Sequence, residues 1–309
     1  MRSSMYRVFF VCAAVTALTA VATFTNQLHA DDATDNREQE RKVRLEYLTQ
    51  KAKEFKMSPA SRQDRLLSFE ERPVLRYTNP VRNFFTDGVV FLWRHDSKPD
   101  LPGAPALLGA PALLGAPALL GAPALLGALS VRGNGDVFCE FASLTSSPLH
   151  CDLGLRRTWT PEKTTQVDVP LKVQISNVND ERRQLLAMRQ LIRRFSVRMS
   201  EADNPEQKKE LRRLSNPLVQ WSDSASGSSA MCFGFAETND PEALVLLRYT
   251  PNSNAKGGSW TYTLSRMTSR PLVFELDQQA IHEVKAYWKN PQSDNDSYLE
   301  RRLGEYSAE

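Results

Sequence analysis

Four prolines spaced six residues apart, Pro105, Pro111, Pro117 and Pro123, set the firmest limit on what the middle of this chain can become. They belong to a hexapeptide, Gly-Ala-Pro-Ala-Leu-Leu, copied four times between Gly103 and Leu126. Each proline removes a backbone donor and crowds the carbonyl four residues back, so no stable helix spans the stretch. It has no charge, no donor-rich side chain and no metal ligand, which excludes chemistry there.

The sequence on either side explains why the repeat is tolerated. Two segments present similar phrases in one order. Trp93 followed by Pro99-Asp100 matches Phe235 followed by Pro241-Glu242, and LSVR at 129–132 matches VLLR at 245–248. Gly133-Asn134-Gly135 then matches Gly257-Gly258, and LTSSPL at 144–149 matches MTSRPL at 267–272. The first segment is longer than the second by roughly the length of the four hexapeptides, which places them as an insertion at 102–127 in a loop between strands. Loop length costs stability only logarithmically, so such an insertion is survivable.

A helix is expected before each segment. Asn36 to Met57 puts Leu45, Leu48, Ala52 and Phe55 on one face, and Asp180 to Met199 does the same with Leu185, Met188, Leu191, Ile192, Phe195 and Met199. Short Val/Phe/Leu-rich strands follow, in the first segment near 88–94, 128–132, 136–143 and 148–153. The phrase Arg-Gly-Asn-Gly-Asp reads as a tight hairpin turn. The predicted class is therefore α+β, with an internal duplication into two modules at 36–175 and 179–288, each an amphipathic helix and a small antiparallel sheet. A polar C-terminal tail, 289–309, follows them.

The N-terminus reads as a secretory signal peptide over 1–30. Arg2 and Arg7 precede an uncharged apolar stretch from Val8 to Phe24, and Leu28-His29-Ala30 ends in a small residue. An uncleaved anchor is the competing reading. Cleavage implies an exported protein of the periplasm, cell envelope or extracellular space, with no membrane span left in it. It also leaves 37 of the 39 basic residues against 36 acidic ones, so net charge implies no nucleic-acid partner.

Three cysteines remain after cleavage, an odd number that rules out a fully paired internal framework. Cys139 and Cys151 stand at equal distances from the Thr-Ser turn, in position for a cross-strand disulfide, with two buried thiols as the alternative. Cys232 reads as a core residue.

Catalytic signatures are missing. His95, His150 and His282 stand alone, with no metal-ligand spacing, so neither a metal nor another cofactor is expected. The serine-rich 224–230 lacks the setting of a nucleophile elbow. Asp136/Glu140 and Asp240/Glu242 are acidic pairs of the kind glycosidases use, but they sit in turns and edges. Trp159, Trp221, Trp260 and Trp288 suit either a sugar groove or the core.

The most unusual chemistry is in the second helix. Arg182, Arg189, Arg193, Arg194 and Arg198, with Arg183 beside them, offer planar forks that grip sulfate, carboxylate or phosphate through two parallel hydrogen bonds. A solvated helix face is the alternative.

Several of these phrases together, NPVRNFFTDGVVFLW, CEFASLTSSPL, ELRRLSNPLVQW and WTYTLSRMTSRPL, resemble a family of exported proteins of planctomycete bacteria whose function is not known. The resemblance runs over roughly 40–290; it implies export and a two-part layout, and brings no activity, cofactor or catalytic residue. The expectation is a non-enzymatic, envelope-associated binding or scaffolding protein, its partner an anionic envelope polysaccharide or another envelope protein. The alternative is a hydrolase acting on an envelope or extracellular polymer through acidic residues.

Overall fold

The structure, a computed structural model, describes residues 38–78, 86–95, 121–154, 158–162, 166–173, 175, 178, 180–201, 206–252, 257–287 and 294–307. The expected signal peptide lies outside these residues. Two units are distinguished, Met1–Tyr47 and Leu48–Glu309. In the first, residues 38–47 are described; they are helical and begin helix α1 (38–54). The rest of the fold belongs to the second unit.

That unit is overwhelmingly β. In chain order its strands are β1 (Lys56–Pro59), β2 (Ser68–Thr78), β3 (Thr86–Arg94), β4 (Pro123–Arg132), β5 (Asp136–Ser143), β6 (Leu149–Asp152) and β7 (Val169–Pro170). After helix α2 (Glu181–Leu191) come β8 (Phe195–Ser200), β9 (Lys208–Glu210), β10 (Arg212–Arg213), β11 (Val219–Asp223), β12 (Ser228–Ala236), β13 (Pro241–Pro251) and β14 (Gly258–Arg266). The chain closes with β15 (Leu272–Leu276), β16 (Gln279–Val284) and β17 (Tyr298–Glu305).

These strands form four sheets: β1-β6, β17-β5-β4-β3-β2, β10-β12-β13-β14-β7 with β11 also on β12, and β16-β15-β8-β9. Strands make up 53% of the described residues, which corrects the α+β expectation to a mostly β fold. The two-module picture is corrected with it. Strand β7 follows the first meander yet pairs with β14, and β17 follows the second yet pairs with β5. The expected polar tail thus supplies an edge strand, and each of the two meander sheets takes one strand from the other half of the chain.

The second helix is shorter than its periodicity predicts. It starts where Asp180 caps it by accepting the Arg183 N–H at 2.9 Å. It buries Gln184, Ala187, Met188 and Leu191, then tightens into a 3₁₀ turn, Ile192–Arg194, and gives way to β8. Phe-Ser-Val-Arg-Met-Ser alternates apolar and polar residues, and the period of two wins: Phe195, Val197 and Met199 are buried on one strand face.

Packing sets the burial. The β12-β13-β14 sheet is covered on both faces. Met231, Phe233, Val245 and Leu247 meet α2 and the β8-β15 ladder, while Cys232, Leu244 and Leu246 meet Val90, Leu126 and Ala142 of the β2–β5 sheet. A sheet covered on both faces needs continuous apolar strands, which is why β12 and β13 are buried almost end to end. On the far face of the β2–β5 sheet, Phe141 gathers Phe55, Trp93 and Trp159 at ring separations of 5.5, 5.7 and 5.9 Å.

The last hexapeptide copy is part of this core, which corrects the expected loop boundary of 102–127. From Pro123 onward the copy is strand β4, with Ala124, Leu125 and Leu126 fully buried. Gly127 shows why the register is fixed there. A Cβ on it would stand 2.4 Å from Phe141 and 2.8 Å from Trp93. Sliding the repeat forward by one copy keeps every side chain on its face but puts Pro123 where Leu129 now pairs between Val89 and Cys139. A proline in a central strand has no donor for the ladder, so the Leu-Ser-Val-Arg that follows the last copy locks it in place. The remainder of the repeat lies outside the described residues. Its ends are held together: His95 donates to the Ala122 carbonyl at 3.0 Å and accepts from Gly121 at 3.1 Å.

Candidate anion-binding face

The arginines expected to act together divide between two roles. Arg182, Leu186, Arg189 and Arg193 succeed one another at steps of four, three and four residues, the spacing of one helix face. All four are exposed. Leu186 is 56% exposed, more than the other exposed large hydrophobics among the described residues, Val43 and Leu66. Arg182, Leu185, Leu186 and Arg189 line an open groove of about 610 Å³ with Gln220 of β11 and the acidic first turn, Asp180 and Glu181.

Among the described residues, Arg182, Arg189 and Arg193 meet no carboxylate at ion-pairing distance. The acids nearest the groove are already engaged: Asp180 caps the helix and pairs with Arg183 at 3.2 Å, and Glu181 accepts from Ser222 at 2.8 Å. Asp180 and Glu181 also favour the helix N-terminus, where backbone N–H groups are unpaired.

Arg194 and Arg198 are committed elsewhere. Arg194 donates to Asp277 through Nε at 2.9 Å, a bond that raises its own pKa and holds the Asp277 carboxyl below its ordinary value. Arg198 is on β8, not on the helix, and pairs with Glu275 across the β8-β15 ladder. Sequence reading missed Leu186 and Gln220. The spacing of 182, 186 and 189 was the signal for the leucine; the glutamine arrives through tertiary packing and left none.

The other candidates are structural. Trp159, Trp221 and Trp260 are buried, and Trp288 lies outside the described residues. Asp136 is held by Arg302 at 2.6 Å, which keeps its carboxyl below the ordinary range, and Glu140 accepts from the Tyr298 hydroxyl at 2.6 Å. Asp240 accepts from Thr238 at 3.0 Å, and Glu242 is buried. Of the serine-rich 224–230, residues 224–227 join β11 to β12 as a turn, with Asp223 accepting from Ala225 and Ser226, and 228–230 begin strand β12.

The disulfide expectation is also corrected. Cys139 and Cys151 are free, buried thiols on different sheets: Cys139 pairs with Leu129 and Arg301, Cys151 with Met57 and Trp159. Burial pushes both thiols up, and Cys232 to about 12, so all three are thiols at neutral pH. Among the described residues no three His, Cys, Asp or Glu side chains gather at metal-binding distance, and no helix is long and apolar enough to cross a membrane. Comparison with protein-family models, with curated proteins and with solved structures finds no match to this chain.

Proposed function

We propose that this chain is a non-enzymatic binding protein of the cell envelope that holds an anionic polysaccharide on the outer face of α2. The observation that carries this reading is the row of Arg182, Arg189 and Arg193, exposed and, among the described residues, without carboxylate partners, on the capped helix α2 and the 3₁₀ turn that follows it. A guanidinium already satisfied by an internal acid offers little to a ligand; these three are free to grip sulfate or carboxylate groups in pairs of hydrogen bonds. Leu186 between them supplies apolar contact for the ring carbons of a sugar.

Co-sedimentation of the purified chain with isolated envelope and with a sulfated polysaccharide tests it. Binding is expected at low salt and weakens as the Debye length shrinks to about 8–10 Å near physiological ionic strength. Replacing Arg182, Arg189 and Arg193 together with serine removes it.

A further inference from the structure

A second site lies away from α2, where Arg266 ends β14. Its guanidinium is fixed by three carbonyls: Nε donates to Thr268 at 2.6 Å, one terminal nitrogen to Lys285 at 2.8 Å and the other to Arg270 at 2.9 Å. The rings of Tyr298 and Tyr287 flank it at 5.1 and 5.7 Å. Carbonyls orient a guanidinium without neutralising it, and two of its five N–H donors remain. Among the described residues no carboxylate stands at ion-pairing distance from it.

Asp296 lines the same cavity, of about 490 Å³. Its main-chain carbonyl accepts from Trp159 Nε1 at 2.8 Å, and its neighbours Asp294 and Asn295 accept from the backbone of Thr160 and Glu162 at 2.7 and 3.1 Å. The segment is therefore pinned from behind, while the Asp296 carboxylate makes no hydrogen bond or ion pair among the described residues. The cavity, whose lining also includes Glu283 and Lys285, thus holds the fixed Arg266 guanidinium and the Asp296 carboxylate with no ion pair between these two among the described residues. Partly desolvated charges are costly unless matched, and a ligand carrying both signs matches both.

We propose that this cavity binds a small zwitterion of the α-amino acid class, its carboxylate on Arg266 and its ammonium group on Asp296. The volume falls in the range of small-molecule sites, and Tyr287, Val284 and Ala286 give it apolar wall for a side chain. The held guanidinium and the pinned loop are organised before the ligand arrives, which lowers the ordering cost of binding.

Calorimetric titration of the full chain with L-leucine, with acetate and with butylammonium tests this. Leucine is expected to bind saturably, and each singly charged probe at least about tenfold more weakly, the scale of one lost charged hydrogen bond. Arg266→Gln and Asp296→Asn are each expected to weaken leucine by a similar factor while polysaccharide co-sedimentation is unchanged. Should Arg266→Gln fail to fold by circular dichroism, Asp296→Asn decides alone, because its carboxylate makes no hydrogen bond or ion pair among the described residues. Acetate binding as tightly as leucine, an Asp296→Asn variant indistinguishable from the parent, or no heat with any probe would each overturn the proposal.

Discussion

Arg132 and Glu300 meet at 3.2 Å across the intervening strand β5, one from β4 and the other from β17, which returns from the far end of the chain. Arg248 of β13 and Asp168 beside β7 repeat the relationship across β14. In each case an arginine of one meander grips the carboxylate beside or on a strand delivered by the other half of the chain. The pairs stand where two local hairpins become one fold.

Glu300 is nearly buried while Arg132 is about one-third exposed, so losing the acid leaves a cation partly stranded. Glu300→Gln is expected to destabilise the fold by about 1–3 kcal/mol in urea unfolding. A double-mutant cycle with Arg132→Leu should return a coupling above about 0.5 kcal/mol. Additive effects would show that the pair contributes nothing to joining the halves.

Gly127 faces Phe141 and Trp93 too closely for any side chain. Gly127→Ala is expected to lower stability by about 1–3 kcal/mol, the usual cost of forcing an extra carbon into a packed core. Thermal unfolding checks it, and an unchanged midpoint would mean that β4 is not seated as described.

Deleting 103–108, one upstream copy, should do almost nothing. The backbone bonds between His95 and the Gly121-Ala122 pair hold the ends together whatever lies between them. A shorter connection changes closure entropy by only a few tenths of a kcal/mol. A shift above about 1 kcal/mol would give the upstream copies a structural role.

His95 is buried, and burial first, then the nearby Arg248 charge, lowers its pKa below the ordinary 6.5. The unfolded chain therefore takes up a proton before the folded one does. The contribution is complete above pH 6.5 and is lost as pH falls from there toward the lowered folded value. His95→Gln is expected to flatten the stability-versus-pH curve in that window; a slope identical to the parent's would remove His95 from the account.

Local elements were legible where the pattern is strong. Asp136–Ser143 alternates Val137, Cys139 and Phe141 inward, and strand β5 falls on the expected residues. The Gly-Asn-Gly turn follows from chemistry that suits a left-handed residue, and Gly135 has φ of 85°. The end of α2 was hidden because Phe195 and Met199 fit a helical period and a strand period equally well; only the packing of β8 on β15 decides. Fold class was misjudged because the edge strands Lys208–Glu210, Gln279–Val284 and Tyr298–Glu305 carry little apolar pattern of their own. Their place comes from partners far away in sequence. On α2, arginine content was visible, but not which arginines Asp277 and Glu275 had already taken.

The central claim rests on the exposed arginines of α2 and of the 3₁₀ turn after it, and one comparison tests it most directly. Co-sedimentation with a sulfated polysaccharide at low salt would be measured for two variants, Arg182→Ser/Arg189→Ser/Arg193→Ser and Arg194→Ser/Arg198→Ser. The first set is expected to abolish binding and the second, whose arginines are held by internal acids, to leave it nearly intact. Equal loss in both, or binding retained by the first, would contradict a ligand held on the outer face of α2.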